Sequence, residues 1–213
     1  MNENLLRFNK KQKYLVFDFE TCSLNLESPN NKPWQLGFIT CEGNSILEKK
    51  DFYISWDDLN LSKDAARITG FSKSKYNKGK KDASLILEEF EKYLYDDDYL
   101  VLGHNVLGFD IYIHNIYRRL LKKNTNYSYI NRIIDTNCLA RSIKNNIPFS
   151  NSGNFIDWQY KLLHHRTRGV KTNLKQLCKD YDIDFDESRL HEALYDVEKT
   201  FDIYKKMLWQ IEI

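Results

Sequence analysis

The chain has 213 residues, 42% of them hydrophobic, and a mean hydropathy of -0.62, enough apolar material for one well-packed domain in water. No run approaches the roughly 18 apolar residues of a membrane span, and residues 1–13 lack the apolar region of a secretory signal. With 32 basic and 30 acidic side chains the formal charge is +2, too slight for bulk charge to specify a nucleic-acid partner.

After a polar leader, Tyr14-Leu15-Val16-Phe17-Asp18-Phe19-Glu20-Thr21 reads as a strand. Alternation then puts Asp18 and Glu20 on one face, with Phe17 and Phe19 pointing into the core. Residues 34–40 and 45–55 read as two more strands, Gly43-Asn44 supplying the turn between them. A lysine-rich loop (Lys73, Lys75, Lys78, Lys80, Lys81) leads into an amphipathic helix from Asp82, with Leu85, Leu87, Phe90, Tyr93 and Leu94 near helical spacing. The run Tyr99-Leu100-Val101-Leu102-Gly103-His104-Asn105 looks like a buried strand. In the helix that follows, Phe109, Ile113 and Leu120 share a face and Asp110 lies in the first turn.

Ile133-Ile134-Asp135-Thr136 suggests a short strand, with a helix beginning at Leu139. Residues 142–172 lose clear periodicity and are rich in Asn, Ser and Gly, which predicts an insertion or mobile loop; they carry a second basic cluster that includes Arg166 and Arg168. Helical patterning resumes at 174–178. A final helix is expected over about 193–209, with Leu194, Val197, Phe201, Tyr204 and Leu208 as its core stripe. Strands first, then strands interleaved with helices, predict an α/β domain with a mixed central sheet, spanning 1–213 as one unit.

Asp18 and Glu20 are forced side by side at a strand's end. Like charges so close raise one pKa or require a cation, and hard oxygen ligands of this kind suit Mg²⁺ or Mn²⁺. His191 precedes Asp196 by five residues, and five steps of about 100° separate them on a helix, so they converge only if His191 lies in the preceding loop. The cysteines Cys22, Cys41, Cys138 and Cys178 show neither zinc-ligand nor redox spacing and read as reduced, buried thiols of a cytoplasmic protein.

Asp18, Glu20, Asp110 and Asp196, with His191, resemble the DEDDh exonucleases of the DnaQ-like, ribonuclease H-like superfamily, whose members include the proofreading subunit of DNA polymerase III. Phe17-Asp18-Phe19-Glu20-Thr21 looks like the family's first motif, His104-Asn105 with Phe109-Asp110 like the second, and His191 to Asp196 like the third. Ala66-Arg67-Ile68-Thr69-Gly70 is similar to the family's segment before the substrate cleft. Two departures stand out: the second motif is one residue longer than the compact form, and residues 142–172 exceed the family minimum.

The resemblance implies a mixed five-stranded sheet flanked by helices, and two divalent cations, Mg²⁺ or Mn²⁺. It implies Asp18 bridging both ions, Glu20 and Asp196 completing one site, and Asp110 serving the second mainly through water. His191 is then the general base for hydrolysis from a 3′ end, releasing nucleoside 5′-monophosphates. Phe19, Thr21, Ile68, His104 and Asn105 are expected at the terminal nucleotides, with Arg166 and Arg168 as phosphate clamps. The partners implied are single-stranded or 3′-terminal DNA and a separate DNA polymerase. Two alternatives stay open: an exoribonuclease on short RNA, and a non-catalytic nucleic-acid-binding or polymerase-binding module.

Overall fold

The structure, a computed structural model, describes residues 8–28, 31–61, 63–149 and 153–211. Its centre is a mixed sheet in the order β4-β3-β2-β1-β5-β6. Strands β1 (Lys13–Thr21), β2 (Pro33–Glu42) and β3 (Ser45–Ile54) form an antiparallel meander, and β5 (Tyr99–Gly103) and β6 (Ile133–Asp135) continue from β1 in parallel. The expected five strands are thus present with a sixth, β4 (Lys80–Lys81), paired beside Tyr53 and Ile54 in what the sequence presented as a lysine-rich loop. Two exposed lysines carry no periodicity, so nothing in the sequence marks them as a strand.

Helices cover both faces. On one, α3 (Ala83–Leu94) and α4 (Asp110–Leu120) pack with Leu15, Phe17 and Phe19 of β1. On the other, α5 (Thr136–Asn145), α7 (Leu174–Asp180) and α8 (Ala193–Met207) pack with Tyr14 and Val16. Strand alternation therefore hands odd-numbered residues of β1 to the first layer and even-numbered ones to the second. Asp18 and Glu20 extend the even-numbered row, toward α8. Within α3 the buried stripe is Ala83, Ile86, Leu87, Phe90 and Leu94, whereas Leu85 is exposed, one residue off the expected spacing. The stripe of α8 runs through Val197, Phe201 and Tyr204 as expected.

Residues 142–172 were expected as an aperiodic loop, and the structure places helix α6 (Phe155–His164) inside them. This helix closes the edge of the sheet. The Gln159 side chain donates to the Ile133 carbonyl at 2.9 Å and accepts from the Asp135 amide at 2.7 Å, so an amide side chain replaces the missing neighbour strand of β6. Phe155 joins the α8 layer while Ile156 joins the α3–α4 layer. Apolar positions divided between two cores form no single stripe, which is why the pattern escapes a one-face periodicity test.

Two short helices, α1 (Lys63–Ile68) and α2 (Lys73–Gly79), follow β3. No helix among the described residues is long and apolar enough to cross a membrane. All four cysteines are free and buried, and burial pushes the Cys41 thiol up to about 12 and the Cys22 and Cys178 thiols to about 11.

Helix α8 reaches the sheet through one missing side chain. A Cβ added at Gly37 of β2 would lie 2.3 Å from the Leu194 amide nitrogen and 2.4 Å from the Ala193 carbonyl carbon. Gly37 pairs with Asp18 across the β1–β2 ladder, so the start of α8 is seated backbone to backbone beside that acid. Gly37→Ala is expected to lift the start of α8 and cost about 1–3 kcal/mol, the usual range for overpacking a rigid site, read as a lower urea midpoint. An unchanged midpoint would mean the seat has slack.

Candidate active site

Four acids from three parts of the chain meet at the C-terminal end of β1. Asp18 and Glu20 project from the strand, Asp110 opens α4, and Asp196 lies in the first turn of α8. The pairing of β1 with β5 ends at Val16 and Leu102, and the Phe19 amide beyond it is taken by the Asp110 carboxylate at 3.0 Å. That bond ties Asp110 to the backbone between Asp18 and Glu20.

The loop before α4 owes its shape to an acid that sequence reading did not single out. Asp135, fully buried at the end of β6, accepts from the amides of Asn105 (2.9 Å), Leu107 (3.0 Å) and Asn137 (2.9 Å). Burial raises its carboxyl to about 6, against the downward pull of those backbone bonds. Asn105 adopts a left-handed backbone (φ 61°), which Asn tolerates better than most residues. The available signal was an acid closing an apolar strand, Ile133-Ile134-Asp135, the same pattern as Asp18 in β1.

His191 stands just before α8 in a left-handed conformation (φ 74°), as the five-residue spacing to Asp196 required. Its amide donates to Asp196 Oδ2 at 3.0 Å. A ring nitrogen of His191, a Glu20 oxygen and an Asp196 oxygen all lie within 4.8 Å of one another. The second oxygen, Asp196 Oδ1, is buried without any hydrogen-bond partner. An orphaned carboxylate oxygen is costly to bury unless something positive meets it, so the donor set fits a divalent cation.

Electrostatics agree. Burial raises Asp18 to about 7 and, with Asp18 as the next cause, Asp196 to about 8. Glu20 is pushed well above the carboxylate range by burial and then by Asp18, Asp196 and Asp110. Asp110 is raised by burial and by Asp18, despite the Phe19 amide. Each acid is held up by burial, and three of them by their neighbours as well. Partial desolvation lowers the His191 imidazole, which favours its neutral form.

The expected substrate contacts fall into four groups. Ile68, half exposed, lines a cleft of about 650 Å³ together with Arg67, Thr69, Gly70, Lys175, His191 and Asp196. Phe19 is buried among Phe17, Phe90 and Tyr117, so its ring belongs to the core and only its backbone faces the acids. Thr21 is also buried, its hydroxyl donating to the Ser23 carbonyl at 2.7 Å. The Thr136 hydroxyl donates to the Gly103 carbonyl at 3.2 Å and sits 2.9 Å from His104 Nδ1, which holds the His104 ring at the end of β5. Burial lowers that imidazole to about 4. The Asn105 side chain accepts from Asn137. Arg166 and Arg168 are exposed, and Arg166 borders a separate cleft of about 250 Å³ whose lining includes none of the four acids.

Comparison with known proteins agrees with this geometry. The RNase_T exonuclease family model matches residues 15–204. PolC-type DNA polymerase III of Ureaplasma parvum is 28% identical over 91% of this chain, and that of Mycoplasma genitalium 26% over 94%. The chain spans only 11% and 12% of those two polymerases. Among solved structures, E. coli exonuclease I in complex with a dA16 oligonucleotide shares the fold with a TM-score of 0.73 and 17% identity, over 94% of this chain and 41% of that one. The zinc-bound form of its single-stranded DNA complex gives 0.70 and 18%, over 92% and 40%. With the fold, the gathered acids and a family match along nearly its whole length, the chain belongs to the RNase_T exonuclease family, within the DnaQ-like group.

Proposed function

We propose that this protein is a metal-dependent 3′-5′ exonuclease acting on DNA ends. The single observation that carries the reading is the gathering of Asp18, Glu20, Asp110 and Asp196 beside His191, with Asp196 Oδ1 buried and unpartnered. Asp18, Glu20, Asp110 and Asp196 would hold two Mg²⁺ or Mn²⁺ ions, whose chemistry is to stabilise charge on the phosphate and ease ionisation of a bound water. A zinc-bound exonuclease I among the structural neighbours supports a cation at such a site.

The chain's own groups supply the rest. His191, kept neutral by its surroundings, accepts the proton of the attacking water through a ring nitrogen. The cleft along Arg67 to Gly70 receives the terminal nucleotide, Ile68 offering an apolar edge to the base. His104 and Asn105, fixed by Thr136 and Asp135, flank the acids at the mouth of β5. DNA is favoured over RNA because the neighbours include exonuclease I bound to DNA oligonucleotides and the relatives are DNA polymerases. The PolC relatives also support action beside a polymerase, as a proofreading component. Four acids packed without cations would repel, which disfavours a non-catalytic module.

Activity is tested with end-labelled DNA and RNA oligomers. Asp18→Ala and Asp196→Ala are expected to lose cleavage by at least about 10³-fold, and EDTA to abolish it in the wild type. A wild-type rate in either variant overturns the site; preference for RNA overturns the substrate. His191→Ala should lose about 10²–10⁴-fold in rate and keep Mn²⁺ affinity by titration, since general-base catalysis is worth that much. Lost Mn²⁺ binding would make the imidazole a ligand instead.

The same acids set a stability test. Their folded pKa values lie above the unfolded ones, so the folded state holds more protons between about pH 4 and pH 8, and metal-free stability falls as pH rises through that window. Asp18→Asn should therefore raise the melting temperature at pH 8 in EDTA, with the gain vanishing toward pH 4. Mn²⁺ should raise that of the wild type and barely move the variant. A variant less stable than wild type at pH 8 would contradict the repulsion.

A further inference from the structure

From Ala65 to Lys81 the chain has no acidic side chain and six basic ones: Arg67, Lys73, Lys75, Lys78, Lys80 and Lys81. That concentration stands out in a protein whose whole formal charge is +2. The five lysines lie on α2 and β4, all exposed, and none forms an ion pair among the described residues. Elsewhere on the surface Lys13, Lys49, Lys50, Lys144 and Lys175 each meet a carboxylate.

The platform beneath these lysines is rigid. Tyr76, the buried residue of α2, donates its hydroxyl to the Ile54 carbonyl at 2.8 Å and accepts from the Trp56 amide at 3.0 Å. Phe71 packs edge-on to Trp34 at 4.9 Å and against Tyr76 at 5.6 Å. Pairing with β3 fixes Lys80 and Lys81. Guarding an open sheet edge is a sufficient role for those two, but not for the three on α2. The platform also adjoins the cleft. Gly70 lines it, and Lys73 follows three residues later, at most about 11 Å of chain away.

We infer that the exposed lysine face of α2 and β4 is a second nucleic-acid contact, gripping the phosphate backbone of the strand whose end lies in the cleft. The inference rests on the nuclease reading. Unpaired cations on a fixed surface gain by releasing counterions from a polyanion, and they do so without regard to sequence. A strand held by its end in the cleft has to leave it, and this is the adjoining surface with uncompensated charge of the right sign.

The test uses the triple variant Lys73→Gln, Lys75→Gln, Lys78→Gln and, as a control of equal charge, Lys122→Gln, Lys179→Gln, Lys206→Gln. Two substrates are compared: a long single-stranded DNA and the p-nitrophenyl ester of thymidine 5′-monophosphate, which is too small to reach α2. The α2 variant is expected to raise KM for the long strand about tenfold near physiological salt and to flatten the plot of log KM against log salt by about 0.7 per lysine engaged. Ester hydrolysis should be unchanged, and the control should behave as wild type. Unchanged KM and salt slope on the long strand, with normal ester hydrolysis, overturn the proposal and leave an acidic protein as the ligand of this face. An equal loss in the control also overturns it, as an effect of bulk charge. Failure of the wild type to cleave either substrate would overturn the nuclease reading, and this proposal with it.

Discussion

Everything at the functional end of this protein depends on holding like charges together. Asp18, Glu20, Asp110 and Asp196 are each raised above the carboxylate range, and no cationic side chain is among the causes that act on them. A fold selected only for stability would scatter or neutralise such a set. Here the strain is countered by rigid backbone: Phe19 donates to Asp110, and His191 donates to Asp196. The positions of Asp110 and Asp196 are thus set by backbone amides as well as by the elements that carry them.

The scaffold achieves this through supports remote from the acids themselves. Gly37 lets α8 settle on β2 opposite Asp18, and so sets where Asp196 arrives. Asp135 gathers the amides that shape the loop before α4, and so sets where Asp110 arrives. Gln159 closes β6, the strand that carries Asp135. The chain of support runs from the sheet edge inward: α6 holds β6, β6 holds the loop, the loop holds Asp110. Helix α6, in a stretch unpatterned as sequence, is therefore mechanically connected to the acids.

The relatives put this arrangement in proportion. The chain corresponds to roughly a tenth of a PolC-type polymerase and to two fifths of exonuclease I. In this chain the cleft beside His191 and the lysine surface of α2 and β4 adjoin one another. One is lined by groups of both signs, Arg67 and Lys175 beside Glu187 and Asp196, and the other is exposed and basic.

The sequence by itself determined the elements that alternate or repeat cleanly and the acids that terminate them. The strand ending in Asp18 and Glu20, the helix opening at Asp110 and the His191-to-Asp196 spacing are local patterns, and local sterics fix the direction of each side chain. Only the tertiary structure decided what depends on two distant segments meeting. It made Asp135 a holder of backbone amides and turned an irregular stretch into the helix that closes the sheet. Gly37 shows the reason most plainly. Its value is the absence of a side chain where another backbone passes, and no pattern along a single chain records that.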